Sequence, residues 1–374
     1  MQISASLRRL ERMILDAIAC ETPLDDAAFD QLARMVFAAQ YAANAPYRRY
    51  CDLLGRAPKT ISSWQEIPAV PATAFKTLTL ACFPVKRAAL VFTTSGTTQG
   101  QGKQGTHYLL TPRLYEASLL RHFAAMVLPD DARLPMLVLA PSPEDAPHSS
   151  LSYMFGTIAR ALTPETTYYV DERGLDAEAL ARDLALAEAQ GAPVLLAGTA
   201  FAFVHFLDYC HERGLRFALP PRSRLMDTGG FKGRSREVPR DELYARYTET
   251  FGIAPQYLVN EYGMTELGAQ FYDATLLDHH LRRRGPLRKL APHWCRVSIL
   301  DPETLTPVPP GQTGVLRFFD LTNLYSVAAI QTEDLGRAVV DSLDGGFEVL
   351  GRAQGAEARG CSIALDDLLL AQRQ

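Results

Sequence analysis

The residues Thr93 to Gly105 hold four glycines, five hydroxyls and Lys103 within thirteen positions. Glycines let a backbone come close to a bulky anion, and exposed N–H groups and hydroxyls then cradle it. An apolar run, Ala88 to Phe92, precedes this stretch, and Thr106 to Leu110 follows it. Both flanks read as short strands, which makes the stretch a loop between strands. The chemistry it suggests is phosphate binding, with a nucleotide as the expected ligand. Three further polar, glycine-bearing segments, 228–234, 260–266 and 332–336, are expected at strand ends. Ligands of open α/β sheets bind at the carboxyl ends of strands, so the four segments are expected to share one site.

Other owners of such a loop fit less well. Gly100-x-Gly102-x-x-Gly105 has the glycine spacing of a dinucleotide fingerprint, but that motif opens a helix, and here a strand is expected. A P-loop needs four residues between its first glycine and Gly-Lys, followed by Ser or Thr; five residues lie between Gly96 and Gly102-Lys103, and Gln104 follows. A kinase loop does lie between strands, and Asp334-Leu335-Gly336 faintly echoes the metal-binding triplet, but the chain has no His-Arg-Asp catalytic loop. His148 with Ser149 and Ser150 suggests a hydrolase dyad, yet no G-x-S-x-G elbow accompanies it. Individual residues also have plain structural explanations. Glu266 could sit in the first turn of a following helix, where the dipole favours a carboxylate. Tyr262 could be a core aromatic, Asp334 a turn residue, Lys232 and Arg234 solvated loop charges, and His107 a cross-strand polar residue.

The elements that must position these residues follow from hydrophobic period. The 374 residues are 47% hydrophobic and 21% charged, with a formal net charge of −4, which is the balance of a globular protein with one large domain or two unequal ones. No basic tract argues for nucleic acid. The six cysteines form no C-x-x-C pair, so reduced thiols and a cytoplasmic location are expected. The longest apolar run, Pro193 to Val204, is too short to span a membrane, and the N-terminus lacks a secretory apolar core. Helical periodicity marks 3–20 and 27–43, the second with Asp25 or Asp26 as its cap and ending near Asn44-Ala45-Pro46. Helices are expected over 112–128, 151–161, 176–190, 200–213 and 239–251. Buried strands are expected over 134–140, 166–170, 193–197, 224–227 and 257–259. Alternation of this kind means an α/β fold with a largely parallel sheet. After about residue 285 the texture becomes that of short antiparallel strands, 294–300, 314–319, 328–332 and 347–350, with a short helix at 365–371.

Here a resemblance becomes specific. Thr93-Thr94-Ser95-Gly96-Thr97-Thr98 resembles the phosphate loop of adenylate-forming enzymes. Asn260-Glu261-Tyr262-Gly263-Met264-Thr265-Glu266 resembles their Tyr-Gly-x-Thr-Glu motif, Thr332-Glu333-Asp334-Leu335-Gly336 their ribose motif, and Gly351-Arg352 their hinge. All four stand in the family's order. Thr228-Gly229-Gly230-Phe231-Lys232, the run from Glu261 to Leu267, and Arg359-Gly360-Cys361-Ser362 look like the acyl-protein synthetase (LuxE) branch, near phenylacetate–CoA ligases. The resemblance spans roughly residues 65–365.

It implies a large adenylation domain over 1–350, made of a helical layer (about 1–60), an α/β body (about 61–285) and a smaller β subdomain (about 286–350), followed by a short tail, 351–374. It implies ATP and Mg²⁺. Thr94, Ser95, Gly96, Thr97, Thr98 and Gly100 would hold the β- and γ-phosphates. Tyr262 would flank adenine, with Asn260 and Gly263 beside it, and Gly229 and Gly230 would let the backbone lie against adenine or the acyl group. Thr265 would contact the α-phosphate, Glu266 would hold Mg²⁺, Asp334 would accept bonds from the ribose hydroxyls, and Arg352 would contact ribose or phosphate. Members of the wider family carry a lysine in a mobile domain beyond the hinge. Here 22 residues follow Arg352 and none is lysine, so Lys103 or Lys232 is the candidate for that charge.

In the acyl-protein synthetase branch the cysteine matching Cys361 is the acyl acceptor. Arg352 and Arg359 would favour its thiolate, the reactive form. The expected function is activation of a carboxylic acid, with a fatty acid implied by the resemblance, as acyl-AMP. Transfer to Cys361 and delivery to an acyl-CoA-reductase-like partner would follow. Direct transfer to coenzyme A or a carrier thiol is one alternative, and a non-catalytic nucleotide-binding subunit is another. The acyl pocket is expected between 142 and 232, with Tyr153, Met154, Phe155, Phe201, Phe203 and Phe231 as candidate lining.

Overall fold

A computed structural model describes residues 4–94, 104–229, 238–340, 342, 344–353 and 368–372. The chain divides into two compact units, one of residues 1–121, 264–270 and 288–374, the other of 122–263 and 271–287.

In the first unit, helices α1 (Ala5–Ala19), α2 (Asp26–Ala43) and α3 (Ala45–Leu53) come first. Asp25 caps α2 by accepting from the Ala28 N–H at 2.8 Å. α2 ends where expected, with Asn44 as its C-cap, and the same residue begins a further helix, α3. Asn44 accepts from the Tyr47 N–H, and proline at the first turn of α3 costs no hydrogen bond that the turn would have made. Strand β1 (Val70–Pro71) precedes a hairpin of β2 (Leu90–Thr93) and β3 (Thr106–Leu109), and α4 starts at Arg113 and runs to Val127.

The second unit alternates strand and helix. It contains β4 (Met136–Pro141), α5 (Ser150–Leu162), β5 (Thr166–Asp171), β6 (Gly174–Leu175), α6 (Ala177–Gln190), β7 (Leu195–Thr199) and α7 (Ala200–Arg213). It continues with β8 (Arg224–Thr228), α8 (Arg240–Phe251), β9 (Leu258–Tyr262), β10 (Phe271–Asp273) and α9 (Thr275–His280). The strand order is β6-β5-β4-β7-β8-β9-β10. The four inner pairings from β5 to β9 are parallel, and β6 and β10 are antiparallel additions. Leu137, Leu139, Leu196, Leu225 and Leu258 of the central strands pack with Phe203, Phe206, Leu207, Tyr247 and Phe251 of α7 and α8. Strands buried on both faces read as continuous apolar runs, and this is why the sequence marks them so clearly. Several strand boundaries differ from expectation, two of them in this unit by two residues or more at the carboxyl end. The strand expected at 193–197 lies at 195–199, and the one expected at 257–259 runs on through Tyr262.

Back in the first unit come β11 (Lys289–Leu290), β12 (Cys295–Leu300), β13 (Thr313–Asp320), β14 (Ala329–Ala338) and β15 (Phe347–Arg352), in the order β12-β13-β14-β15-β11. These pairings are antiparallel, while β1 pairs with β14 in parallel. The N-terminal helices are bound into this unit. Gln40 of α2, 1% exposed, donates to the Asn323 carbonyl at 2.9 Å and accepts from the Ala328 N–H at 3.1 Å. Phe29, Trp64 and Phe319 meet edge to face, with centroids 5.7 to 6.1 Å apart.

Candidate active site

Thr265 and Glu266 lie in a turn, not in a helix as the dipole explanation of Glu266 would need. The helix does not form because side chains take over the backbone groups of the turn. His107 of β3 contacts the Thr265 carbonyl through Nδ1 at 2.8 Å. Asn323 donates from Nδ2 to the Glu266 carbonyl at 2.7 Å. The Asp320 carboxylate accepts from the N–H groups of Gly268 (2.9 Å) and Ala269 (2.8 Å), and from the N–H and hydroxyl of Thr322. Asp320 is fully buried, which raises its carboxyl above the usual range, while these four donors pull it down. Two consecutive carbonyls and two N–H groups of one turn are thus fixed by three side chains. Glu266 itself is buried.

His107 does lie cross-strand as expected, opposite Phe92, but its contact with the Thr265 carbonyl, like the parts of Asn323 and Asp320, was missed by sequence reasoning. His107 is 4% exposed, at the root of the hairpin that carries the glycine-rich loop, and its ring meets Phe75 edge to face at 5.6 Å. Burial lowers it to about 4. The only signal in the sequence was its place two residues after Gly105.

In the second unit, the ends of β8 and β9 are bound side by side. Thr228 donates its hydroxyl to Glu261, which is buried. Asn260 donates from Nδ2 to Asp227 at 2.9 Å, and Tyr244 and Tyr247 donate to the same carboxylate at 3.3 and 3.2 Å. The Asn260 N–H donates to Asp273 at 2.8 Å, and Asp273, 1% exposed, also pairs with Arg240. The Asn260 amide is therefore engaged with Asp227, which ties the strand preceding Tyr262 to the strand preceding Gly229. Gly229 has φ +75, and no atom of the described residues beyond its chain neighbours comes within 4 Å of a Cβ built there. Gly263 is a glycine for a different reason, since a Cβ there would stand 2.4 Å from Glu261 Oε1. Tyr262 is partly exposed and contacts Phe271, with centroids 6.1 Å apart, so it is not a buried core aromatic.

Asp334 and Gly336 are not in a turn at a strand end. They lie inside β14, and Asp334 faces Arg352 across the β14–β15 ladder with Nε to Oδ1 at 3.6 Å. Glycine at 336 serves close packing, because a Cβ would be 2.4 Å from the Glu348 carbonyl oxygen.

Ser95, Gly96, Thr97, Thr98, Gly100, Lys103, Gly230, Phe231, Lys232, Arg234 and Cys361 lie outside the described residues. Thr94 closes the hairpin, with its N–H on the Gly105 carbonyl and its hydroxyl accepting from the Gly105 N–H, both at 2.9 Å. Ser149 caps α5 through the Ser152 N–H, a structural use of the supposed dyad. Of the candidate acyl-pocket residues, Met154, Phe155 and Phe203 are fully buried core, and Tyr153 and Phe201 are partly exposed. Among the described cysteines only Cys20 is exposed. Burial raises Cys51 and Cys82 to about 12 and Cys210 to about 11, and raises Cys295 as well, so these four thiols are poor nucleophiles.

Among solved structures, the fold is similar to an open conformation of 2-hydroxyisobutyryl-CoA ligase in complex with 2-HIB-AMP and CoA. The TM-score is 0.63 at 16% identity, over 88% of this chain and 71% of that one. A second structure of that ligase, in its thioesterification state, gives 0.61 at 16% identity, over 94% and 69%. The architecture is that of the adenylate-forming enzymes. The chain belongs to the acyl-protein synthetase (LuxE) family, whose pattern matches residues 5–370, and it is an ATP-dependent ligase of that class. Two curated relatives are each described as a long-chain-fatty-acid–luciferin-component ligase. The one from Vibrio harveyi is 23% identical over 95% of this chain and 96% of its own length. The one from Aliivibrio fischeri is 25% identical over 82% and 78%.

Proposed function

We propose that the protein activates a long-chain fatty acid with ATP and passes the acyl group to Cys361, for delivery to a reductase-like partner in the cytoplasm. In this reading residues 1–350 work as the adenylation domain and 351–374 as the tail that carries the acyl group. A carboxylate oxygen of the acid bonds to the α-phosphorus of ATP while the bond to the β-phosphate bridge breaks, giving acyl-AMP and pyrophosphate. The Cys361 thiolate then bonds to the acyl carbon and AMP leaves with the electron pair of the mixed anhydride. The first step is mainly a matter of positioning and charge stabilisation.

The observation that carries this reading is the 2.8 Å contact from His107 to the Thr265 carbonyl, which places the Thr265–Glu266 turn against the root of the glycine-rich loop. Thr265 would contact the α-phosphate. Glu266 would hold Mg²⁺; one carboxylate with phosphate oxygens is a donor set this ion accepts, and when bound it neutralises phosphate charge. Thr94, Ser95, Gly96, Thr97, Thr98, Gly100 and Lys103 would hold the departing pyrophosphate. Tyr262, Asn260, Gly263, Gly229 and Gly230 would form the adenine wall, and Asp334 and Arg352 the ribose contacts.

The test is pyrophosphate exchange into ATP with acids of graded chain length, followed by retention of labelled acyl group. Cys361→Ser should keep the exchange and lose the label that neutral hydroxylamine releases. Persistence of that thioester label in the variant would remove Cys361 as acceptor. Robust formation of acyl-CoA by the purified protein would instead favour direct transfer to coenzyme A. Wild-type protein without acid-dependent pyrophosphate release would leave only nucleotide binding.

A further inference from the structure

We infer that His107 is a positioning residue that couples the mouth of the glycine-rich loop to the Thr265–Glu266 turn through a single donated hydrogen bond; this rests on the adenylation reading of the site. The hairpin is closed up to its last pairs, Thr93 with Thr106 and the Thr94 N–H with the Gly105 carbonyl. His107 stands next in the ladder, opposite Phe92. Any displacement of the loop mouth is therefore carried into the His107 ring. That ring is buried and held against Phe75.

The Thr265 carbonyl can only accept, so Nδ1 must carry the proton. Burial keeps the ring neutral at working pH, in agreement with that single tautomer. The ring touches the backbone of Thr265, not a reacting atom, so its part is to orient. On the next residue Asn323 fixes the Glu266 carbonyl from a different element. The two carbonyls are thus held from different elements, the first from the hairpin that carries the loop and the second from the connection after β13.

Asparagine places its amide nitrogen where Nδ1 stands, whereas glutamine reaches the position of Nε2. In acid-dependent pyrophosphate exchange with palmitate, His107→Gln should lower kcat about 100-fold, the cost of a misplacement of about 1 Å, with KM for ATP changed by less than about threefold. His107→Asn should recover most of the loss. Equal loss in both variants, or none in His107→Gln, overturns the proposal. A second readout is independent of the variants' folding and of activity: the ¹⁵N shifts of His107 in the wild-type protein should identify the Nδ1–H tautomer across pH 6 to 8. An Nε2–H tautomer, or titration in that range, also overturns it. Wild-type protein that shows the Nδ1–H tautomer but no acid-dependent exchange would overturn the function while leaving the hydrogen bond in place.

Discussion

Asp334 and Arg352 face each other as register partners across β14 and β15, with the guanidinium Nε 3.6 Å from the carboxylate. The pair is lopsided: the Arg352 side chain is 70% exposed and that of Asp334 16%. An exposed ion pair contributes about 0.5 kcal/mol, so stability is a weak reason for the arrangement. A carboxylate held on a strand ladder, with an exposed cation beside it, suits a ribose with phosphate nearby. Asp334→Asn should therefore raise KM for ATP by about 10-fold while moving the melting temperature by no more than about 2 °C. Isothermal titration with ATP and a thermal melt would check both, and an unchanged ATP affinity would remove Asp334 from the site.

Gly263→Ala tests the joint between Glu261 and Thr228. The added methyl would lie 2.4 Å from Glu261 Oε1, so the buried carboxylate that holds the Thr228 hydroxyl through its other oxygen must shift. Displacing a buried hydrogen-bonded carboxylate should cost about 2 kcal/mol of unfolding free energy. Pyrophosphate exchange should fall by at least about 10-fold, since β8 and β9 lose the side-chain link nearest Gly229 and Tyr262 and keep only the one from Asn260 to Asp227 beside the backbone ladder. Denaturant melts and exchange assays read the two effects separately.

Asp273→Ala removes the carboxylate that receives both Arg240 and the Asn260 N–H. Breaking a buried pair from one side strands the other charge; Arg240 is partly exposed, so the loss should be about 3 kcal/mol, at the low end for such pairs. Asn260 should then loosen, and KM for ATP should rise more than kcat falls. Arg240→Lys, which keeps the charge, should lose less than half as much stability in a urea titration.

Stability should fall on mild acidification because of His107. Its folded pKa, about 4, lies below the ordinary value of 6.5, so between these pH values the unfolded chain binds a proton that the native protein does not. The contribution is complete above pH 6.5 and is lost as pH drops towards 4, by about 3 kcal/mol. Urea midpoints measured from pH 7 to 4.5 should show a steeper decline for the wild type than for His107→Asn. Parallel curves would mean that the histidine already titrates normally in the folded protein.

Much of this architecture was legible from the chain. Residues buried by one element repeat at that element's own period, so α2, α7 and the inner strands of the parallel sheet were placed to within a few residues. The exceptions have local causes. Asn44 and Pro46 mark the end of α2 as expected, but they also begin α3, because a capping side chain and a first-turn proline start helices as readily as they follow them. Asp334 and Gly336 look like a turn but lie within β14, because a glycine that admits a neighbouring backbone is spelled the same as one that bends its own.

The glycine-rich loop, the Tyr-Gly-x-Thr-Glu run and Cys361 are singled out in the sequence by residue type, short spacing and resemblance to the family, and residues 95–103 and Cys361 lie outside the described residues. Only the tertiary structure decided what holds Thr265 and Glu266 still. Their partners are His107, 158 residues away, Asn323, 57 residues away, and, through the adjoining turn, Asp320. A hydrogen bond needs two groups brought to about 3 Å, and chain topology brings them there, whereas the period of a sequence records only what each element buries along its own length.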